Sequence, residues 1–322
     1  MHAFGRVIAL IILSAVVASF AACGVPMGGS GEYYSFTDSE GRNVSLDSAP
    51  VRVAVLFSSY AEIWQIAGGE IAVTVGDTVE RGFADADCVL VDSGAGHTTL
   101  DTELLIASAP DLVIGTADYP VQVEACELLS EMGIPTALLR VETFEDYLTV
   151  LKIFTDILGT EDKYLEYGSA VAERIDGYLA AVSAHLESSP CEESMLFIRA
   201  GASSRSTKAK RAEDHFACAM LEELGLYNIA DSAPVLLDGL SVEEIVTADP
   251  ERIFVSMMGE NEKAVMANVE GILQKDGYST LGAVVGGRVE FLPKSLFHYK
   301  PNHRWDEAYL YLIEIIYPEL EL

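Results

Sequence analysis

Short apolar runs of strand length alternate along this chain with longer segments whose apolar residues recur at i, i+3 and i+4. Arg52 to Phe57, Ile71 to Val75, Asp87 to Val91, Asp111 to Gly115 and Ile134 to Arg140 read as strands. Tyr60 to Ala67, Leu100 to Ser108, Val121 to Met132 and Phe144 to Leu158 read as the helices between them. Apolar strands separated by amphipathic helices predict a parallel sheet covered on both faces. Ahead of them, Tyr33 to Thr37 and Asn43 to Leu46 flank Asp-Ser-Glu-Gly and predict a hairpin.

The same grammar returns in the second half. Ser194 to Arg199, Glu251 to Ser256 and Arg288 to Leu292 read as strands, with helices near Ala212 to Leu224, Val242 to Ala248, Glu262 to Gln274 and Trp305 to Ile316. Leu100 to Ile114 and Leu240 to Phe254 align at a constant offset of 140, with Leu100, Glu103 and Pro110 recurring as Leu240, Glu243 and Pro250. A repeated helix, Pro-led turn and buried strand predicts two lobes of like topology. Between them, Glu161 to Ser189 contains no proline and carries one apolar stripe from Tyr164 to Leu186, closed by Pro190. A helix of that size spans roughly 40 Å, longer than one small lobe needs, and so predicts a strut. Gly168 and Gly177, each about 1 kcal/mol worse than Ala in a helix, leave a break as the alternative. The expected architecture is α/β: two Rossmann-like lobes, 33–159 and 191–322, joined by one long helix over 160–190.

The first residues follow a different logic. Arg6 precedes a mostly apolar run from Val7 to Phe20, and small residues then lead to Cys23. About 14 residues is too short for a membrane span, so 1–22 read as an export signal. Phe20-Ala21-Ala22-Cys23 resembles a lipobox, with Phe20 where Leu is usual, and predicts lipidation of Cys23. Gly24 to Gly31 holds four glycines, a proline and a serine, so 23–32 read as a flexible tether.

The formal charge of -30 argues against nucleic acid and anionic membrane surfaces as partners, leaving the lipid anchor as the expected membrane contact. Within that field the scarce cations stand out. Arg199 to Arg211 holds five of the chain's 20 Lys and Arg residues in 13 positions, and Lys294, Lys300 and Arg304 lie near another strand end. If both segments face one cleft they make a positive focus suited to an anionic ligand: a carboxylate- or catecholate-bearing metal chelate, or haem propionates. The alternative is a solvated basic loop.

In a parallel α/β sheet the ligand crevice lies beyond the carboxyl ends of the strands. The loops there bring Ser59, Tyr60, His97 and Tyr119 from the first lobe, and Arg199, Lys208, Lys210, Arg211, Met258, His298, Tyr299 and Lys300 from the second. No H-x-x-x-H or H-E-x-x-H spacing occurs, so the histidines are not read as a metal site, and no cofactor is implied. Cys88, Cys126, Cys191 and Cys218 form no C-x-x-C pair, and their scattered spacing fits isolated thiols as well as disulfides. No G-x-S-x-G elbow, Walker loop or dinucleotide fingerprint is present, which argues against an enzyme.

Several ordered segments resemble the class III substrate-binding proteins that serve ferric-siderophore, haem and cobalamin ABC importers. They are Ser58-Ser59-Tyr60-Ala61-Glu62-Ile63 followed by Ala67-Gly68-Gly69, Ala109-Pro-Asp-Leu-Val-Ile114, Gly133-Ile-Pro135, and Met220-Leu-Glu-Glu-Leu-Gly225 through Asn228-Ile-Ala-Asp231. The resemblance implies a monomeric, membrane-tethered binding protein outside the cytoplasm, delivering a small metal chelate to a permease dimer with its ATPase. It also implies that Glu62 and Glu222, on outer tips of the two lobes, engage permease arginines. The other readings are a ligand-sensing lipoprotein without transport, and a chelatase-type enzyme on the same two-lobed plan.

Overall fold

The computed structural model describes residues 32–92, 99–190, 193–259 and 261–322. An antiparallel hairpin opens it, β1 (Tyr34–Thr37) with β2 (Asn43–Leu46). The buried Asp38 carboxylate holds its turn, accepting from the Arg42 amide at 2.9 Å, and reaches across to the Leu138 amide at 3.1 Å.

The first lobe is built on β3 (Val53–Val55), β4 (Val73–Thr74), β5 (Val89–Leu90), β6 (Leu112–Thr116) and β7 (Thr136–Leu139). All pairings are parallel and the order is β5-β4-β3-β6-β7. The order reverses between β3 and β6, which is where a ligand crevice opens in such sheets. Alternation splits the strands between two apolar layers. Ala54, Leu56, Val113 and Leu138 face one, while Val53, Val55, Leu112, Ile114 and Leu139 face the other.

The second lobe repeats the plan with β8 (Ser194–Ala200), β9 (Lys208–Ala209), β10 (Tyr227–Asn228), β11 (Arg252–Met257) and β12 (Val289–Leu292). Its path is β10-β8-β11-β12, all parallel, with β9 added antiparallel to β8. The switch point lies between β8 and β11. The 140-residue sequence offset has a backbone counterpart: Ala109 and Asp249 both adopt left-handed conformations, at φ 49° and 41°, just before the proline that leads into β6 and β11.

The linking segment is helical from Glu161 to Ser188: an α-helical turn Glu161–Tyr164, a π-helical turn Leu165–Ser169, then α-helix Ala170–Ser188. Gly168 lies in the π turn, and a Cβ there would stand 3.3 Å from carbons of Leu148, Leu151 and Tyr164. The glycine therefore marks close packing against the helix Phe144–Leu158, and the chain widens by one residue instead of breaking. Toward the other lobe, Arg174 Nε pairs with Asp306 at 2.6 Å on the last helix, Trp305–Ile316. One apolar cluster runs from Trp64 and Phe154 through Val171, Ile175 and Val182 to Phe216 and Trp305. Both lobes thus share a core layer, while each keeps a second layer of its own. No helix among the described residues is long and apolar enough to cross a membrane.

Candidate functional site

The two switch points are where the walls of a ligand crevice are expected in such sheets. On the first lobe, Phe57 follows β3 and Tyr119 follows β6, their rings 5.7 Å apart edge to face. On the second, Arg199 is near the end of β8, and Met258, just past β11, donates its amide to Ala200 O at 2.8 Å. Partial burial raises the Tyr119 phenol, and the Arg199 guanidinium opposes that shift, so the lobes feel each other's charge here.

The cations of the second lobe gather around His215. This imidazole stacks on Phe216 at 4.9 Å, lies 4.8 Å from Phe197, and accepts the Ala217 amide on Nδ1 at 3.2 Å, capping the helix Phe216–Glu223. Burial holds it down to about pKa 3, and Arg199, Lys300, His298 and Lys210 add to the depression. Four cationic or protonatable groups therefore lie near enough to one neutral ring to disfavour its protonation. Lys208 stands opposite Arg199 in the β8–β9 register, so it points to the same face. Like charges paired this way cost stability, which favours an anion between them.

Across the gap, the first lobe answers with a carboxylate and a cation. Glu142 Oε2 lies 2.7 Å from Lys300 Nζ. The Arg81 guanidinium sits 4.1 Å over the Tyr299 ring and 4.7 Å over Phe83, and donates to Ser58 Oγ at 2.8 Å. Lys294 Nζ lies 5.2 Å from the Tyr299 ring, and His298 packs beside it at 4.9 Å.

The periplasmic binding protein profile matches residues 53–296, which spans both sheets and the linking helix. The chain belongs to that family. No curated protein sequence matches it. Among solved structures, a periplasmic solute binding protein from Veillonella parvula shares 21% identity at TM-score 0.66, over 89% of this chain and 87% of that one. Staphylococcus aureus SirA, solved with staphyloferrin B, shares 16% at 0.66 over 88% and 98%. The periplasmic haem-binding protein RhuT from a Roseiflexus species shares 17% at 0.62 over 84% and 99%. These likenesses concern the fold.

Within this periplasmic binding protein, several residues expected at the crevice lie elsewhere. Tyr60 is 2% exposed, its hydroxyl donating to Leu139 O at 2.9 Å. It holds the helix Ser58–Ile66 against β7 and cannot line a pocket. Ser59 is also buried, and its carbonyl accepts from Asn302 at 3.1 Å. Arg211 is taken up by Glu213 at 2.6 Å and Asp214 at 3.7 Å on its own loop, which cancels its charge locally. Glu62 is corrected most sharply. It is 7% exposed, accepting from Asn302 Nδ2 at 2.8 Å with His303 Nδ1 at 3.3 Å and Arg81 at 3.8 Å, so its carboxylate faces the lobe junction and not an outer tip. Glu222 is half-buried, and desolvation with nearby Asp231 and Glu213 raises its pKa. His97, Cys23 and Cys191 lie outside the described residues.

Arg81, Glu142 and His215 were not singled out from sequence. His215 immediately precedes the apolar run Phe216 to Leu221, the position of a helix cap, and that was the available signal. Nothing local marks the other two. Cys88, Cys126 and Cys218 are free thiols, and burial pushes Cys126 up to about 12, which leaves it unreactive. Among the described residues no three His, Cys, Asp or Glu side chains form a metal-ligating group.

Proposed function

We propose that this periplasmic binding protein is the substrate-binding component of an ABC importer, capturing an iron chelate of siderophore type, or a related tetrapyrrole such as haem or cobalamin, between its lobes. The observation that carries the reading is the cationic wall of the second lobe, with Lys208 opposite Arg199 in the β8–β9 register and Lys300 Nζ 5.3 Å from the Phe216 ring on which His215 stacks, in a chain of net charge -30. A positive focus inside a negative shell is what an anionic chelate requires, since the outer field repels other anions and the crevice offers them desolvated partners. Lys208, Met258 and Tyr299 complete the wall. The likeness in fold to SirA, solved with a siderophore, and to the haem-binding RhuT supports this ligand class.

In this reading the protein works outside the cytoplasm as a monomer tethered through lipidated Cys23. It delivers its cargo to a permease dimer driven by an ATPase, with the half-buried Glu222 as the docking carboxylate. It performs no catalysis. The shared core and the linking helix imply small lobe movements on capture.

Trp305 sits at the lobe junction, edge-on to Phe144 at 6.1 Å and Phe216 at 5.2 Å, so its fluorescence reports ligand capture. Titration of the purified protein with ferric siderophores, haem and cobalamin is expected to give saturable quenching with at least one, weakening as salt rises. A flat response to the whole panel sinks the proposal. Loss of uptake of that ligand on gene deletion separates transport from sensing.

A further inference from the structure

We infer that Glu142 holds the place of a ligand carboxylate, so that the chelate this crevice selects presents carboxylates and displaces Glu142 from Lys300. The inference rests on the reading of the crevice as a chelate site, and deepens it by naming the anionic group.

Glu142 follows β7 by three residues, at the carboxyl edge of the first sheet, and its partner belongs to the other lobe. The pair is asymmetric. The Lys300 side chain is 21% exposed and the Glu142 side chain 49%, so the cation is built into the wall while the carboxylate lies on the solvent side. Lys300 Nζ also stands 5.3 Å from the Phe216 ring and faces the His215 group. The Glu142 backbone is pinned, its amide donating to Asp146 at 2.9 Å beside the capping box of Thr143. Only its side chain needs to swing for the ion pair to open. Arg140, the cation on the Glu142 loop itself, is engaged by Asp118 at 2.9 Å and Glu40 at 3.3 Å and does not hold Glu142 back.

The exchange sets specificity. A ligand carboxylate that replaces Glu142 at Lys300 restores an ion pair of the same kind, so the swap is close to balanced. A neutral chelate would bury Lys300 without a counter-charge, or leave the Glu142 pair closed across its path. The native contact thus screens against neutral ligands while limiting affinity for carboxylate-bearing ones.

Calorimetric titration with ferric citrate and haem, both carboxylate-bearing, and with ferrichrome, a neutral ferric trihydroxamate, tests this on wild type, Glu142→Gln, Lys300→Met and the double variant. Glu142→Gln is expected to tighten the carboxylate-bearing ligand roughly two- to five-fold, the scale of one partly exposed ion pair. On the Lys300→Met background that gain disappears, and ferrichrome binds no better in any variant. A gain that persists without Lys300 reflects removal of one negative charge from the mean field and overturns the inference. So does an absent gain, or wild type preferring ferrichrome. Wild type binding none of the three, nor any other metal chelate, is a different failure, because it removes the chelate reading itself.

Discussion

Asn302 Nδ2 donates to Glu62 Oε2 at 2.8 Å, joining the turn before the last helix of the second lobe to the first helix of the first lobe, where neither side chain is open to water. The same amide reaches Ser59 O at 3.1 Å, and Asn302 holds a left-handed backbone at φ 52° to do so. Asparagine tolerates that conformation better than other residues with a side chain, so one residue supplies both the turn and the donor. With Arg81 and His303 also within 4 Å of the carboxylate, Glu62 is a clasp between lobes.

Asn302→Ala is expected to destabilise the protein by about 2–4 kcal/mol, because Glu62 loses its best donor and alanine meets the left-handed strain. Urea unfolding measures it as a lower midpoint at unchanged slope. A change within the few tenths typical of surface positions would show that the clasp is ornamental.

The cationic wall is unequal by residue. Lys210 helps depress the His215 pKa and forms no salt bridge among the described residues, whereas Arg211 is bound by Glu213 and Asp214. Lys210→Gln together with Arg199→Gln is therefore expected to weaken an anionic chelate at least about ten-fold and to flatten its salt dependence. Arg211→Gln should change affinity by less than about two-fold. Equal losses from the two changes in calorimetry would return Arg211 to the site.

How much of the molecule is legible in its sequence depends on the kind of signal. Helix limits at Phe144–Leu158, Val242–Ala248 and Trp305–Ile316 match the expected ones, because apolar periodicity, the Thr143 and Asp146 capping box and the left-handed Asp249 end them locally. Strands β9 and β10 escaped because, unlike the equally short β4 and β5, neither is marked by its own apolar run between turns. Side-chain direction also escaped. Tyr60 sits one residue beyond two serines in a loop that reads as crevice-facing, yet the helix begins at Ser58 and turns its ring into the core. Glu62 and Arg81 find their partners through a contact between lobes, and no local pattern encodes that.

His215 gives the acid limb of stability a testable origin. Its folded pKa, near 3, is below the ordinary 6.5, so the unfolded chain binds this proton first. The stabilisation is full above about pH 6.5 and is lost progressively as pH falls toward 3. Glu222, Glu223 and Asp231 have raised values and act in the opposite sense, so the difference between two proteins is the informative quantity. His215→Asn keeps a capping acceptor but cannot titrate. Denaturant midpoints across pH 4–7 should fall less steeply for the variant, and parallel curves would rule the imidazole out as the source.

The linking helix makes opposite predictions at its two glycines. Gly177 lies in regular α-helix with nothing within 4 Å of where a Cβ would stand, so Gly177→Ala is expected to stabilise by about 1 kcal/mol. Gly168 occupies the π turn with three carbons at 3.3 Å, so there the same change forces Leu148, Leu151 or Tyr164 to move, and the propensity gain is offset or reversed. A strut that couples both lobes should pass the Gly177→Ala gain to the whole molecule, shifting one cooperative transition. Two separated transitions, with the gain confined to one, would mean the lobes unfold independently and that the helix links them without stiffening the crevice.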